Sequence, residues 1–135
     1  MSWMESLVQA GLRIKHRLAG VADRSPAAAR RMIERGVPVL DVREAAELEW
    51  ARLPRCLHVP LGELELRQDE LAPLRETEFL VLCHGGLRSG KACRRLRQLG
   101  FRAPVNLAGG IVAWRAAGLP TEGHGRFDPS VLRHR

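Results

Sequence analysis

No stretch of this 135-residue chain approaches the roughly 18 consecutive apolar residues of a membrane-spanning helix. The opening segment, MSWMESLVQAGLRIKHRLAG, holds no continuous apolar core ahead of its charges. No signal peptide is therefore expected, and the expected compartment is cytoplasmic. Cysteine is scarce: Cys56, Cys83 and Cys93 are the three, and no two of them form a C-x-x-C pair. That excludes a disulfide framework and a cysteine zinc site, leaving free thiols. Aromatic residues are only 4% and do not interleave with the basic segments. Specific nucleic-acid recognition is not expected, despite a formal charge of +7. A small anionic substrate suits that charge better.

What remains is the composition of one ordinary globular domain, 45% hydrophobic and 27% charged, long enough to bury a core. Residues 3 to 18 place Trp3, Met4, Leu7, Val8, Leu12, Ile14 and Leu18 at loosely helical spacing among basic residues. Residues 1–19 are read as an amphipathic helix or extension, packed on its own domain, on a homodimer partner or on a membrane surface. Ser25-Pro26 starts a helix that Gly36 stops. VPVLDV contains a buried strand at 38 to 42, REAAELEWARL is a helix, and CLHVP a second strand. LGELELRQDELAPL is a helical or irregular linker. FLVLC (79 to 83) is a third strand, SGKACRRLRQLG a helix, PVNL a fourth strand and GGIVAWRAAG a last helix. Short apolar strands alternating with helices imply α/β architecture around a mostly parallel sheet. Residues 123–135 are read as a flexible basic tail.

The chemistry concentrates after the third strand. Ligands of open α/β sheets bind at the carboxyl ends of strands, and Cys83 occupies such an end. His84, Gly85, Gly86, Leu87 and Arg88 follow, with Ser89 expected to cap the next helix. A glycine-containing loop there can turn backbone N–H groups inward as an anion nest, and the helix N-terminus adds partial positive charge. Such a field favours a thiolate, the nucleophilic form of cysteine. Arg88 carries a planar fork of donors suited to a sulfate-like or phosphate-like group. An isolated strand-end cysteine is usually an inert core residue. The glycines, the arginine and the helix start, all in register, instead favour a nucleophile.

Three segments, VLDVRE (39 to 44), CHGGLRSGKA (83 to 92) and NLAGGIVAWRAAGLP (106 to 120), together resemble the rhodanese-like sulfurtransferase family, in its single-domain form. The resemblance covers roughly residues 20–122. It implies the rhodanese-like fold, a central five-stranded mostly parallel sheet with helices on both faces, whose fifth strand lies near Gly20 to Asp23. It also implies a thiosulfate sulfurtransferase working by double displacement through a Cys83 persulfide, with no cofactor and no metal. The donor would be thiosulfate or a persulfide, and the acceptor cyanide, a thiol or a sulfur-relay protein. His84, Gly85, Gly86, Leu87, Arg88 and Ser89 would bind substrate, with Arg88 steering the donor's sulfonate. Asp41 and Arg43 would support the neighbouring loop as an ion pair. Four residues separate Cys83 from Arg88; cysteine-dependent phosphatases with a similar loop carry one more. That difference favours sulfur transfer over the alternative of a phosphatase or arsenate reductase. A non-catalytic binding module of the same fold is the other alternative. The sequence departs from the family at Ala51-Arg52-Leu53-Pro54-Arg55-Cys56, where two glycines and a histidine are missing.

Overall fold

The computed structural model describes residues 3, 4, 6–8, 10, 11 and 20–124. Pattern explains the sheet directly. In β4 (Glu78–Leu82) alternate side chains enter opposite cores: Phe79 and Val81 join one apolar cluster, Leu80 and Leu82 the other. The period of two along a strand makes this obligatory once both faces are covered. β4 is therefore interior, and it pairs in parallel with β2 (Val39–Asp41) on one side and β5 (Ala103–Leu107) on the other. Short β1 (Ala22–Arg24) and β3 (Leu57–His58) close the edges, so the order is β1-β5-β4-β2-β3 and all pairs are parallel. The expected edge strand exists two residues later than its predicted start.

Helices supply the two outer layers. α1 (Pro26–Glu34) begins as expected, with Ser25 Oγ accepting from Ala28 N at 3.2 Å and proline at the first position. Its Ala29 and Met32 pack with Ile111 and Trp114 of α4 (Gly110–Ala116). α3 (Leu87–Gln98) lays Ala92, Cys93 and Leu96 on the other face. α2 (Ala45–Trp50) is shorter than the predicted REAAELEWARL helix, because Ala51 is already extended. The 61–74 linker resolves into two 3₁₀ segments, Leu61–Glu63 and Gln68–Leu74, the second interrupted by Pro73.

At the C-terminal end, Trp114 Nε1 donates to Pro120 O at 2.9 Å, and Arg52 and Glu122 exchange backbone hydrogen bonds of 2.8 Å. Residues 3, 4, 6–8, 10 and 11 are helical, with Trp3, Met4, Leu7 and Val8 exposed. The rest of the predicted N-terminal helix and residues 125–135 of the predicted tail lie outside the described residues.

The departing segment at 51 to 56 has a conformational consequence. Arg55 sits at φ +61°, the only non-glycine residue with positive φ among those described. Left-handed backbone costs a non-glycine residue about 1–2 kcal/mol, partly offset because glycine loses about 0.5–1 kcal/mol more in chain entropy. Arg55→Gly is thus expected to raise stability by about 0.5–1 kcal/mol, read as a higher urea midpoint at unchanged slope. An unchanged or lowered midpoint would show that the arginine side chain compensates its own backbone.

Candidate functional site

β4 aims the cysteine. Continuing its alternation, Cys83 points with Phe79 and Val81 toward the α3 face and is 1% exposed. The chain must then reverse within three residues to start α3, and Gly86 makes this possible with φ +99°. Its N–H donates to Cys83 Sγ at 3.0 Å. Gly86, not Ser89, is the N-cap, so the helix starts two residues before the predicted Ser89. Ser89 lies buried inside the first turn, its Oγ 3.3 Å from Cys83 Sγ. The sulfur thus rests against a loop amide and a helix N-terminus, where negative charge is stabilised.

The two loop glycines differ. A Cβ on Gly86 would lie 3.1 Å from Gly109 N, whereas a Cβ on Gly85 meets nothing within 4 Å. Behind the loop, the start of α4 grips its carbonyls: Ile111 N donates to Cys83 O at 2.9 Å and Val112 N to His84 O at 3.1 Å. Gly109 and Gly110, at φ +74° and +63°, allow this close approach. The paired glycines of the closing segment are therefore a backbone clamp on the cysteine loop.

Arg88 lies beside the loop and is held bidentately by Glu47 of α2, with Nη1–Oε1 at 2.7 Å and Nη2–Oε2 at 2.8 Å. Glu47 is buried, and this contact with hydrogen bonding raises the Arg88 pKa against the opposing effect of burial. Sequence reasoning missed Glu47, because its partner is 41 positions away and no local pattern links them. Arg43 and Asp41 form a second pair, wholly buried: Nη2–Oδ2 is 2.8 Å and Nε–Oδ1 is 3.1 Å. Arg43 also donates to the carbonyls of Glu47 (3.2 Å) and Ala51 (2.7 Å), fastening α2 and the residue that ends it. His58 Nε2 lies 2.7 Å from Arg43 O. Asp41 and Arg43 thus set α2, α2 sets Glu47, and Glu47 sets Arg88.

The other cysteines have different surroundings. Burial, with Asp41 nearby, pushes the Cys56 thiol up to about 12. Cys93 is fully buried, and that burial raises its thiol well above the usual range. Both remain protonated at neutral pH. Outside the loop mouth, Trp50, His84, Val112 and Arg115 line a shallow cavity of about 340 Å³. The Trp50 and His84 rings are 5.3 Å apart, and the Arg115 guanidinium lies 5.0 Å from the Trp50 centroid. Val112 is exposed at this rim, and Leu87 is exposed at the start of α3. Sequence reasoning singled out His84 but not Trp50, Val112 or Arg115, which come from two other helices.

Comparison with known proteins follows the same lines. The family profile described as Rhodanese-like domain matches residues 25–117. A sulfurtransferase of Allochromatium vinosum is 34% identical over 84 residues, 62% of this chain and 77% of that protein. The Bacillus subtilis protein YrkF, named a candidate sulfur carrier, is 41% identical over 76 residues, 56% of this chain. That match spans only 40% of YrkF. Among solved structures, a rhodanese-related protein from Thermoplasma volcanium superposes with a TM-score of 0.68 at 32% identity. The superposition covers 75% of this chain and 97% of that one.

Proposed function

Because the chain belongs to the rhodanese-like domain family, we propose that it is a sulfurtransferase carrying sulfane sulfur as a persulfide on Cys83. The observation that carries this reading is the sorting of the three thiols. Cys83 Sγ alone is set against a loop N–H at a helix N-terminus, while Cys56 and Cys93 are held protonated by burial.

In the first displacement, the Cys83 thiolate attacks the outer sulfur of a donor such as thiosulfate. The bond between the donor's two sulfurs breaks, its electron pair leaves with sulfite, and a Cys83 persulfide remains. In the second, a thiolate or cyanide attacks that outer sulfur, and Cys83 departs as thiolate. This is nucleophilic covalent catalysis, with Gly86 N–H and the α3 terminus stabilising the anionic sulfur. Two N–H groups of Arg88 serve Glu47, and its charge and its N–H groups outside that pair act on the donor's sulfonate. Gly85 keeps the loop mouth open, and His84 and Leu87 form its rim.

The rim also bears on the acceptor. The exposed Val112 beside Trp50 and Arg115 suits a protein thiol better than cyanide alone, which supports a sulfur-relay protein as physiological acceptor. This reading places the reaction in the reducing cytoplasm. No helix among the described residues is long and apolar enough to cross a membrane.

The test is intact-protein mass after incubation with thiosulfate, with and without cyanide, beside Cys83→Ala. The wild-type protein is expected to gain one sulfur that cyanide removes, and the folded variant to gain none. A folded wild-type protein that takes sulfur from neither thiosulfate nor a low-molecular-weight persulfide would leave a binding module of the same fold.

A further inference from the structure

The positive charge beside the cysteine is already engaged. Both Glu47 oxygens accept from the Arg88 guanidinium, Oε1 from Nη1 at 2.7 Å and Oε2 from Nη2 at 2.8 Å. Such a fork is the contact of an ionised carboxylate. The Glu47 side chain is 0% exposed and that of Arg88 15%, so water screens the pair little. The Cys83 charge also acts on Arg88, which places the pair within electrostatic reach of the sulfur.

An arginine without a partner would balance a cysteine thiolate with one positive charge. Here Glu47 offsets that charge at contact distance, and Asp41 and Arg43 offset one another. The thiolate itself keeps its support, because Gly86 N–H and the α3 terminus are independent of Glu47. An incoming donor therefore meets a cradle that holds one anion well and has little positive charge left for more. Thiosulfate arrives doubly charged at neutral pH and finds only the outward N–H groups of Arg88. An organic persulfide, R–S–SH, arrives neutral or singly charged.

The rim fits the second kind of donor. Trp50 stands three positions after Glu47 on α2 and lines the cavity of about 340 Å³ with His84, Val112 and Arg115. That cavity gives an organic group a place beside the loop. Among the described residues no carboxylate pairs with Arg115, which lies over the Trp50 ring and suits a carboxylate carried on that group. Thiosulfate has no organic group to fill the space.

We propose that Glu47 is a specificity-determining residue: by offsetting the Arg88 charge it disfavours doubly charged thiosulfate and selects a low-molecular-weight organic persulfide as donor. The proposal deepens the Cys83 persulfide reading above and rests on it. The Cys83 thiolate attacks the outer sulfur of R–S–SH, and the bond between the donor's two sulfurs breaks. Its electron pair leaves with the organic thiolate, which takes a proton from solvent, and Cys83 keeps the outer sulfur as a persulfide.

The test compares two donors on the wild-type protein and on Glu47→Gln, which keeps the side-chain length and one accepting oxygen for Arg88 while removing the charge. The donors are thiosulfate and cysteine persulfide, whose amino and carboxylate charges cancel. The second-order rate of sulfur loading is read by intact-protein mass, and the ratio between donors removes their intrinsic reactivities. Glu47→Gln is expected to load thiosulfate about tenfold faster, and to change loading from cysteine persulfide about threefold or less, the order of one partly screened unit-charge interaction. A carboxylate that only positions Arg88 would lower both rates together when lost. That result, or an unchanged ratio in a folded variant, overturns the proposal.

A second measurement needs neither the variant nor sulfur transfer. Sulfate and methanesulfonate present the same three-oxygen face and differ by one charge. On the wild-type protein, methanesulfonate is expected to slow iodoacetamide alkylation of Cys83 at least as well as sulfate, read on the Cys83 peptide. Markedly better protection by sulfate overturns the proposal. A protein that gains sulfur from neither donor fails the persulfide reading itself, while the comparison of the two anions still decides the charge that the cradle prefers.

Discussion

Replacing Gly110 with alanine is expected to cost the protein about 3 kcal/mol or more, from overpacking added to left-handed strain. A Cβ there would stand 2.3 Å from His84 O and 2.6 Å from Cys83 O, both backbone atoms with no side chain to swing away. Either α4 or the cysteine loop must move. If α4 moves, Ile111 and Val112 lose their hydrogen bonds to the loop, and Ile111 and Trp114 lose their places in the core. If the loop moves, the sulfur leaves its position over Gly86 N–H, and a displacement of that order can lower turnover about 100-fold. Denaturant unfolding measures the first outcome and single-turnover sulfur transfer the second. Gly85→Ala is the control: its Cβ meets nothing, so its unfolding midpoint should stay close to that of the wild-type protein. Equal losses for the two variants would mean that loop flexibility, not the clamp, is what alanine removes.

Arg43→Met is expected to be comparably severe. Removing one partner of a buried ion pair typically costs about 3–5 kcal/mol, because the remaining charge is left without compensation. Here the Asp41 carboxylate would be stranded at 0% exposure, and the Glu47 and Ala51 carbonyls would each lose a donor. The damage should propagate. With α2 unfastened, Glu47 no longer holds Arg88, so transfer activity should fall by more than the folded fraction explains. Asp41→Leu combined with Arg43→Met removes both charges and should recover part of the stability while leaving activity low. If the double variant were no more stable than Arg43→Met alone, the hydrogen bonds to the carbonyls, and not the stranded charge, would account for the loss.

These two sites differ in how far the sequence disclosed them. Asp41 and Arg43 lie two positions apart at a strand end, and the pair between them was implied by the family resemblance. That Arg43 continues to Glu47 O and Ala51 O depends on α2 folding back over the guanidinium. Gly110 was visible only as half of a glycine pair; the reason for glycine, a pair of carbonyls 26 and 27 positions upstream, is a tertiary fact. The Ser89 cap was misread for a similar reason. Serine before a basic amphipathic run has the local signature of an N-cap, but Gly86 adopts a left-handed conformation and starts the helix earlier. Ser89 is then carried inward to the sulfur and to Asn106.

Apart from the edge strand β1, the sequence by itself determined the strand and helix order, the parallel sheet and the cysteine at the carboxyl end of an interior strand. Each of these follows from periodicities and breakers acting over a few residues. Tertiary structure alone decided which carboxylate holds Arg88, which helix start clamps the loop, which thiols stay protonated, and which groups Ser89 meets. Those depend on burial and on donor–acceptor pairing between groups far apart in the chain: Glu47 with Arg88, Ile111 with Cys83, Asp23 with Asn106. Such pairings have no local signature, because a polar group is satisfied by whatever partner the packed sheet and helices bring within reach.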